Sequence, residues 1–319
     1  MVHMQQSIIE ISESVLQSSL GVKAGETLLV VTDDSKKNLA EALYEAGRSL
    51  GAQALLMVMQ DRTKSGEEPP EAVAIAMTKA DVVIGITKHS LTHTHARKNA
   101  VAAGARVATM PGITEDMFMA GAIAADYAKV KELTEEVASM LTEAKQVRID
   151  KAGFSLSFSI EQRKGIPSTG VYVNPGESGN LPSGEAYIAP LEGTATGQIL
   201  VDGSIAGIGK LTEPVLLTID KGRIVSAEGP SGKQLLELLG DGDGRLLAEF
   251  GVGTNDKARI TGVVLEDEKV YSTIHVAFGS NNTFGGVISA GVHIDCVVME
   301  PDFYLDEQKV MEQGALLGV

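Results

Sequence analysis

Apolar residues in the first half of the chain fall into short continuous runs separated by amphipathic stretches of helical length. The runs at 27–31 (TLLVV), 52–59, 81–86 (DVVIGI) and 105–110 are aliphatic and β-branched, and each predicts a strand. Over 40–50, Leu39, Ala42, Leu43, Ala46 and Leu50 follow helical spacing. Pro69-Pro70 opens a second helix reaching about Lys79, a third begins near Thr92, and a long one covers 125–144. Continuous apolar strands alternating with helices predict a parallel sheet covered on both faces.

The pattern changes near residue 146. Strand-like runs recur at 146–149, 154–160, 185–188, 197–201, 215–219, 223–227, 271–278 and 292–299, and only 232–239 and 305–318 read as helix. The fold class expected is therefore α/β. An N-terminal parallel α/β sandwich domain, Rossmann-like, covers 1–146. A C-terminal mostly-β (α+β) domain, expected to bind metal and carry the catalysis, covers 147–319.

Alternation along 292–299 (VHIDCVVM) puts His293, Asp295 and Val297 on one strand face and Ile294, Cys296 and Val298 on the other. An imidazole and a carboxylate pointing the same way from an apolar strand are a metal-ligand pair, a base with its orienting acid, or a hydrogen-bonded pair at a sheet edge. Three more stretches offer similar groups. A Gly/Pro-rich loop leads to Glu185 at the start of a strand. Glu249 interrupts an apolar run that ends in glycines. His275 shares a face with Thr273 and Ala277. Two Glu, two His and one Asp suit a divalent transition metal, or two sharing a carboxylate. The run 266–269 (EDEK) reads as a charged turn.

Composition narrows the chemistry. The net charge of −15 and the lack of a basic cluster exclude nucleic acid as an expected partner. The single Cys296 excludes an internal disulfide framework, and its strand face makes it a core residue. No apolar run is long enough to span a bilayer, and the first residues show no basic segment followed by a long apolar one. A soluble cytoplasmic protein is expected. Phosphate-loop, dinucleotide, nucleophile-elbow and HExxH patterns are absent. Asp241 to Gly244 resembles part of a calcium loop, but Val252 stands where the bidentate Glu belongs. His89, His93 and His95 lie between a strand and a helix, where such segments cap helices more often than they bind metal.

The blocks SLTHTHARKNAVAAGARVATMPGIT, LPSGEAYIAP, EFGVGTN…LEDEKVYSTIHVAFG and HIDCVV resemble the metal-dependent aminopeptidases of the thermophilic aminopeptidase T type, across most of the chain. The resemblance implies two zinc, cobalt or manganese ions held by Glu185, Glu249, His275, His293 and Asp295. It also implies a homodimer and a small peptide as substrate, its N-terminal residue removed by metal-activated water. Glu185 would bridge the metals or act as base. Two features depart from that pattern: Asn282 stands seven residues after His275, where the family has tyrosine, and the chain is shorter. A related branch contains non-haem iron dioxygenases that open hydroxypyridine rings with two His and one carboxylate. In that alternative His275, His293 and Asp295 hold one iron and Glu185 or Glu249 orients substrate. A homologue that binds metal without catalysis is the third expectation.

Overall fold

A computed structural model describes residues 2–318. The chain divides into two compact units, residues 1–128 with 170–183, and residues 129–169 with 184–319. The boundary expected near 146 falls inside the second unit.

The first unit carries a five-stranded, wholly parallel sheet in the order Gln53–Met59, Thr27–Asp33, Val82–Ile86, Arg106–Thr109, Ser178–Asn180. The four expected strands are present. Their central members are buried along almost their whole length because helices cover both faces, which is why their sequences lack polar alternation. Helix Lys37–Ser49 buries Leu39, Ala42, Leu43 and Ala46, the stripe predicted for it. Helix His95–Ala102 is capped by Thr94, whose hydroxyl accepts the Arg97 N–H. The sequence did not announce the helix Val2–Ser14 or the fifth strand. That strand, Ser-Gly-Asn, has no apolar signal. It is held instead by Asn180, whose side chain accepts from Thr92 and Thr109 and whose carbonyl accepts from Tyr172.

Two antiparallel sheets form the second unit. One has eight strands in the order Arg223–Glu228, Val215–Asp220, Thr196–Val201, Phe154–Ser159, Gln146–Lys151, Asp302–Leu305, Gln308–Glu312, Ala315–Leu316. The other has seven: Gly209–Lys210, Ser204–Ile205, His293–Met299, Thr273–Gly279, Leu247–Gly253, Glu185–Ile188, Ile166–Ser168. One continuous aliphatic core joins both. Phe250 of the seven-stranded sheet meets Phe158 and Phe303 of the other edge to face, with centroids 5.5 and 5.6 Å apart. Val137, Ala138 and Leu141 of the helix Tyr127–Glu143 pack against the same core.

The expected helix at 305–318 is instead a pair of hairpins. Leu305 pairs with Gln308 across a two-residue turn in which Asp306 and Glu307 have φ of 47° and 70°. Two successive left-handed residues make the turn whose twist suits a hairpin. Asp-Glu does not advertise that turn as Asn-Gly does, so the apolar residues Val310, Met311 and Leu316 carry no local sign of their strands.

Candidate metal centre

The seven-stranded sheet of the second unit has two unlike faces. Ala186, Ile188, Phe250, Val252, Ile274, Val276, Phe278, Ile294, Cys296 and Val298 face the aliphatic core. Alternation then sends Glu185, Glu249, His275, His293 and Asp295 to the opposite face. All five expected residues thus lie on four neighbouring strands of one sheet face. Cys296 is buried on the core side, as its strand position predicts, and burial pushes its thiol pKa up.

Register decides what stands beside each of them. Glu185 is opposite Gly253, His275 opposite Gly251, Asp295 opposite Ala277 and His293 opposite Gly279. Glu249 is also opposite Ala277, beyond a bulge that keeps Leu247 in the core while Glu249 turns the other way. Small residues beside large polar ones leave room for the side chains to converge. At Gly251 the requirement is direct: a Cβ there would lie 2.1 Å from His275 Nε2.

The convergence is close. His275 Nε2 lies 3.3 Å from Glu249 Oε1 and 3.5 Å from Glu185 Oε2. His293 Nε2 lies 3.4 Å from both Glu249 Oε2 and Asp295 Oδ1. Glu249 therefore faces both imidazoles, one oxygen to each. His293 Nδ1 is 2.8 Å from the Ser280 carbonyl, so the ring donates there, and Nε2 is the nitrogen turned toward Glu249 and Asp295. His275 is fully buried, while 30% of the His293 side chain is exposed, so the centre opens on the His293 side.

Sequence reading missed two residues of the cluster. The segment read as a charged turn starts in a short helix, Val264–Asp267, and ends in a turn at Glu268 and Lys269, and Glu266, Asp267 and Lys269 are completely buried. The Lys269 ammonium is 2.6 Å from Glu185 Oε1 and also contacts Glu268. Glu185, Glu268 and His275 form one group of converging ligand atoms, and Glu249, His293 and Asp295 form another. A lysine between two strand-like segments carries no local sign of burial. Only the expectation that a buried charge needs partners could have hinted at it. Asn282, the position of the family tyrosine, is exposed, and the neighbour that reaches His293 is Phe284, its ring 5.9 Å from the imidazole. His89, His93 and His95 belong to the first unit and join no ligand group among the described residues.

Charges in the cluster are strongly coupled to one another. Burial raises the Glu249 pKa, but hydrogen bonds from His275 and His293 outweigh it and bring it down to about 2. Burial would lower His275, yet Glu249, Glu185 and Glu268 raise it to about 9. His293 is raised well above its ordinary value, mainly by Asp295 against the effect of burial, and Asp295 is lowered by His293. Glu268 rises to about 8, chiefly through burial, although Lys269 opposes the shift. Lys269 brings a cation to the cluster, in contact with Glu185 and Glu268. The donor set fits a divalent cation: imidazole with carboxylate suits iron, zinc or manganese. Two buried ligand-type atoms, Glu185 Oε2 and His275 Nδ1, have no hydrogen-bond partner, as expected where an ion or water completes the set.

Comparison with known proteins follows the same line. The chain matches the family NicX: 2,5-dihydroxypyridine 5,6-dioxygenase over residues 7–318. It is 24% identical over 197 residues, 56% of each chain, to the 2,5-dihydroxypyridine 5,6-dioxygenase of Pseudomonas putida, so that alignment spans a little over half of the relative. A solved 2,5-dihydroxypyridine dioxygenase from Pseudomonas putida KT2440 shares the fold with a TM-score of 0.83 at 19% identity, over 99% of this chain and 98% of that one. AmpT from Thermus thermophilus shares it with a TM-score of 0.72 at 17% identity, over 98% of this chain and 99% of that one. The fold is thus common to both branches that the sequence resemblance brought together, while the family assignment departs from the aminopeptidase branch placed first. With its match running nearly end to end, the chain belongs to the 2,5-dihydroxypyridine 5,6-dioxygenase family.

Proposed function

We propose that the protein is a mononuclear iron(II) dioxygenase that opens a hydroxylated pyridine ring. The observation that carries this reading is the meeting of two imidazoles and two carboxylates, His275, His293, Glu249 and Asp295, with a lysine closing the acidic end of the same cluster. His275, His293 and Asp295, drawn from both ligand groups, would hold the metal as a two-His, one-carboxylate set, with Glu249 in reach of both imidazoles. Iron in such a set supplies the one-electron chemistry that lets a closed-shell ring react with dioxygen.

The protein's own groups do the rest. The Ser280 carbonyl fixes the His293 tautomer, and Glu249 holds both rings in orientation. Lys269 anchors Glu185 through Oε1 and leaves Oε2 without a hydrogen-bond donor. That oxygen is the acceptor for a proton from a ring hydroxyl.

The test is anaerobic reconstitution with iron(II), followed by oxygen uptake and loss of ring absorbance with 2,5-dihydroxypyridine. His293→Ala and Asp295→Ala are expected to abolish both. No uptake by the iron-loaded wild type would sink the reading. Peptide hydrolysis has one observation in its favour, the second ligand group Glu185, Glu268 and His275. Lys269 stands against it by supplying positive charge at that place. Two metal ions per chain, with release of a free amino acid from a dipeptide, would favour hydrolysis.

A further inference from the structure

The geometry points to Phe284, with Tyr187, as the aromatic wall that selects a planar ring at this centre. The inference rests on the reading of the centre as a ring-opening site. Phe284 is half-buried, and its ring stands edge-on to two partners: the His293 imidazole at 5.9 Å and 87°, and Tyr187 at 5.5 Å and 79°. Tyr187 lies two residues after Glu185 on the same strand, so it rises from the sheet face that carries the ligands. It is opposite Gly251, which pairs with His275 on its other side, and is half-buried as well. Two aromatic side chains thus border the partly exposed side of the centre, where His293 reaches the surface.

The loop that brings Phe284 there is built to hold still. The fully buried Asn281 donates to the Ala248 carbonyl and to Glu192, and accepts from Ile288 N–H at 2.8 Å. Glu192 also accepts from Val287 N–H and is paired with Arg163. Ser280 Oγ accepts from the Ala290 and Gly291 N–H groups. Gly286 has no room for a side chain, since a Cβ would lie 2.0 Å from the Asn281 amide carbon. A loop pinned at both ends and through its middle positions Phe284 without a large ordering cost on binding. Core packing would explain a fully buried phenylalanine. A half-exposed one, on a braced loop beside a ligand imidazole, is suited to receive a ring.

The test is calorimetric titration of the iron-loaded protein with 2,5-dihydroxypyridine without oxygen, which measures binding apart from turnover. Phe284→Leu keeps the bulk and loses the ring, and it is expected to weaken binding about tenfold. Phe284→Tyr is expected to stay within about twofold of wild type. Iron content should be unchanged in both. Wild-type affinity in Phe284→Leu would overturn the inference. So would a parallel loss of iron, because Phe284 would then serve only to buttress His293. If the wild type binds the ring but does not open it when oxygen is admitted, the wall stands and the reaction assigned to the centre fails.

Discussion

Lys269 and Glu185 form a buried ion pair, Nζ to Oε1 2.6 Å, with the lysine side chain wholly enclosed and 9% of the glutamate exposed. The pair joins the segment after the helix Val264–Asp267 to the first residue of the strand Glu185–Ile188. It supplies an internal positive charge at one end of an acidic cluster. Burial alone would discharge a lysine, but Glu185 and Glu268 hold its pKa above the ordinary value.

Replacing Lys269 by Met should therefore cost about 3–5 kcal/mol, because the buried Glu185 carboxylate loses its ion-pair partner and Glu268 loses a hydrogen-bond donor. Urea denaturation of the metal-free protein would measure it. The double variant Lys269→Met, Glu185→Gln should recover part of the loss. With excess zinc, the single variant should bind one more ion per chain than the wild type. Unchanged stability together with unchanged stoichiometry would show that the pair contributes neither.

Metal should stabilise the folded chain by mass action. At a free concentration about 100 times the Kd the gain is about 2.7 kcal/mol. Differential scanning calorimetry should show a higher Tm with iron(II) under anaerobic conditions, reversed by a chelator. His275→Ala and Asp295→Ala should remove that shift. A shift that survives both would locate the ion elsewhere.

Gly251→Ala tests the floor of the centre. The added methyl would lie 2.1 Å from His275 Nε2, so the imidazole must move. Overpacking of this kind costs about 1–3 kcal/mol. Misplacing a ligand should also weaken metal binding by about tenfold or more. Metal affinity equal to that of the wild type would mean that His275 is not a ligand.

In the first unit, Asp33 ends the strand Thr27–Asp33 with no exposed surface. Its Oδ2 accepts the Lys88 N–H at 2.6 Å, and Oδ1 has no hydrogen-bond partner. Burial raises its pKa above 3.8, against the Lys88 hydrogen bond. With the folded value the higher one, the folded state holds the proton more tightly. Asp33 thus costs stability as pH rises through 3.8, and the cost is complete above the folded pKa. Asp33→Asn should raise the urea midpoint at pH 7 and leave it unchanged at pH 3. An equal change at both values would show that charge is not the cause.

Local pattern carried a large share of the result. Alternation with a period of two is a property of the strand itself, so it assigned His293 and Asp295 to one face and Cys296 to the other. Runs of aliphatic residues marked the central parallel strands, since burial on both faces leaves no polar positions. Glu185, Glu249 and His275 were legible as polar interruptions in otherwise apolar or glycine-rich strands. Turn geometry was less legible: Asp306 and Glu307 adopt left-handed conformations for which the pair gives little warning, and the final strands were read as a helix.

Pairing between distant segments belonged to the tertiary structure alone. Strand order and register placed Gly251 beside His275 and Ala277 beside Asp295, and a bulge turned Glu249 away from the core. Contacts across a sheet depend on backbone hydrogen bonds between residues far apart in sequence, which no local period encodes. Lys269 shows the same division. Its sequence neighbours are charged and read as surface. Its burial follows from Glu185, 84 positions earlier, which offers a partner that makes an enclosed ammonium tolerable.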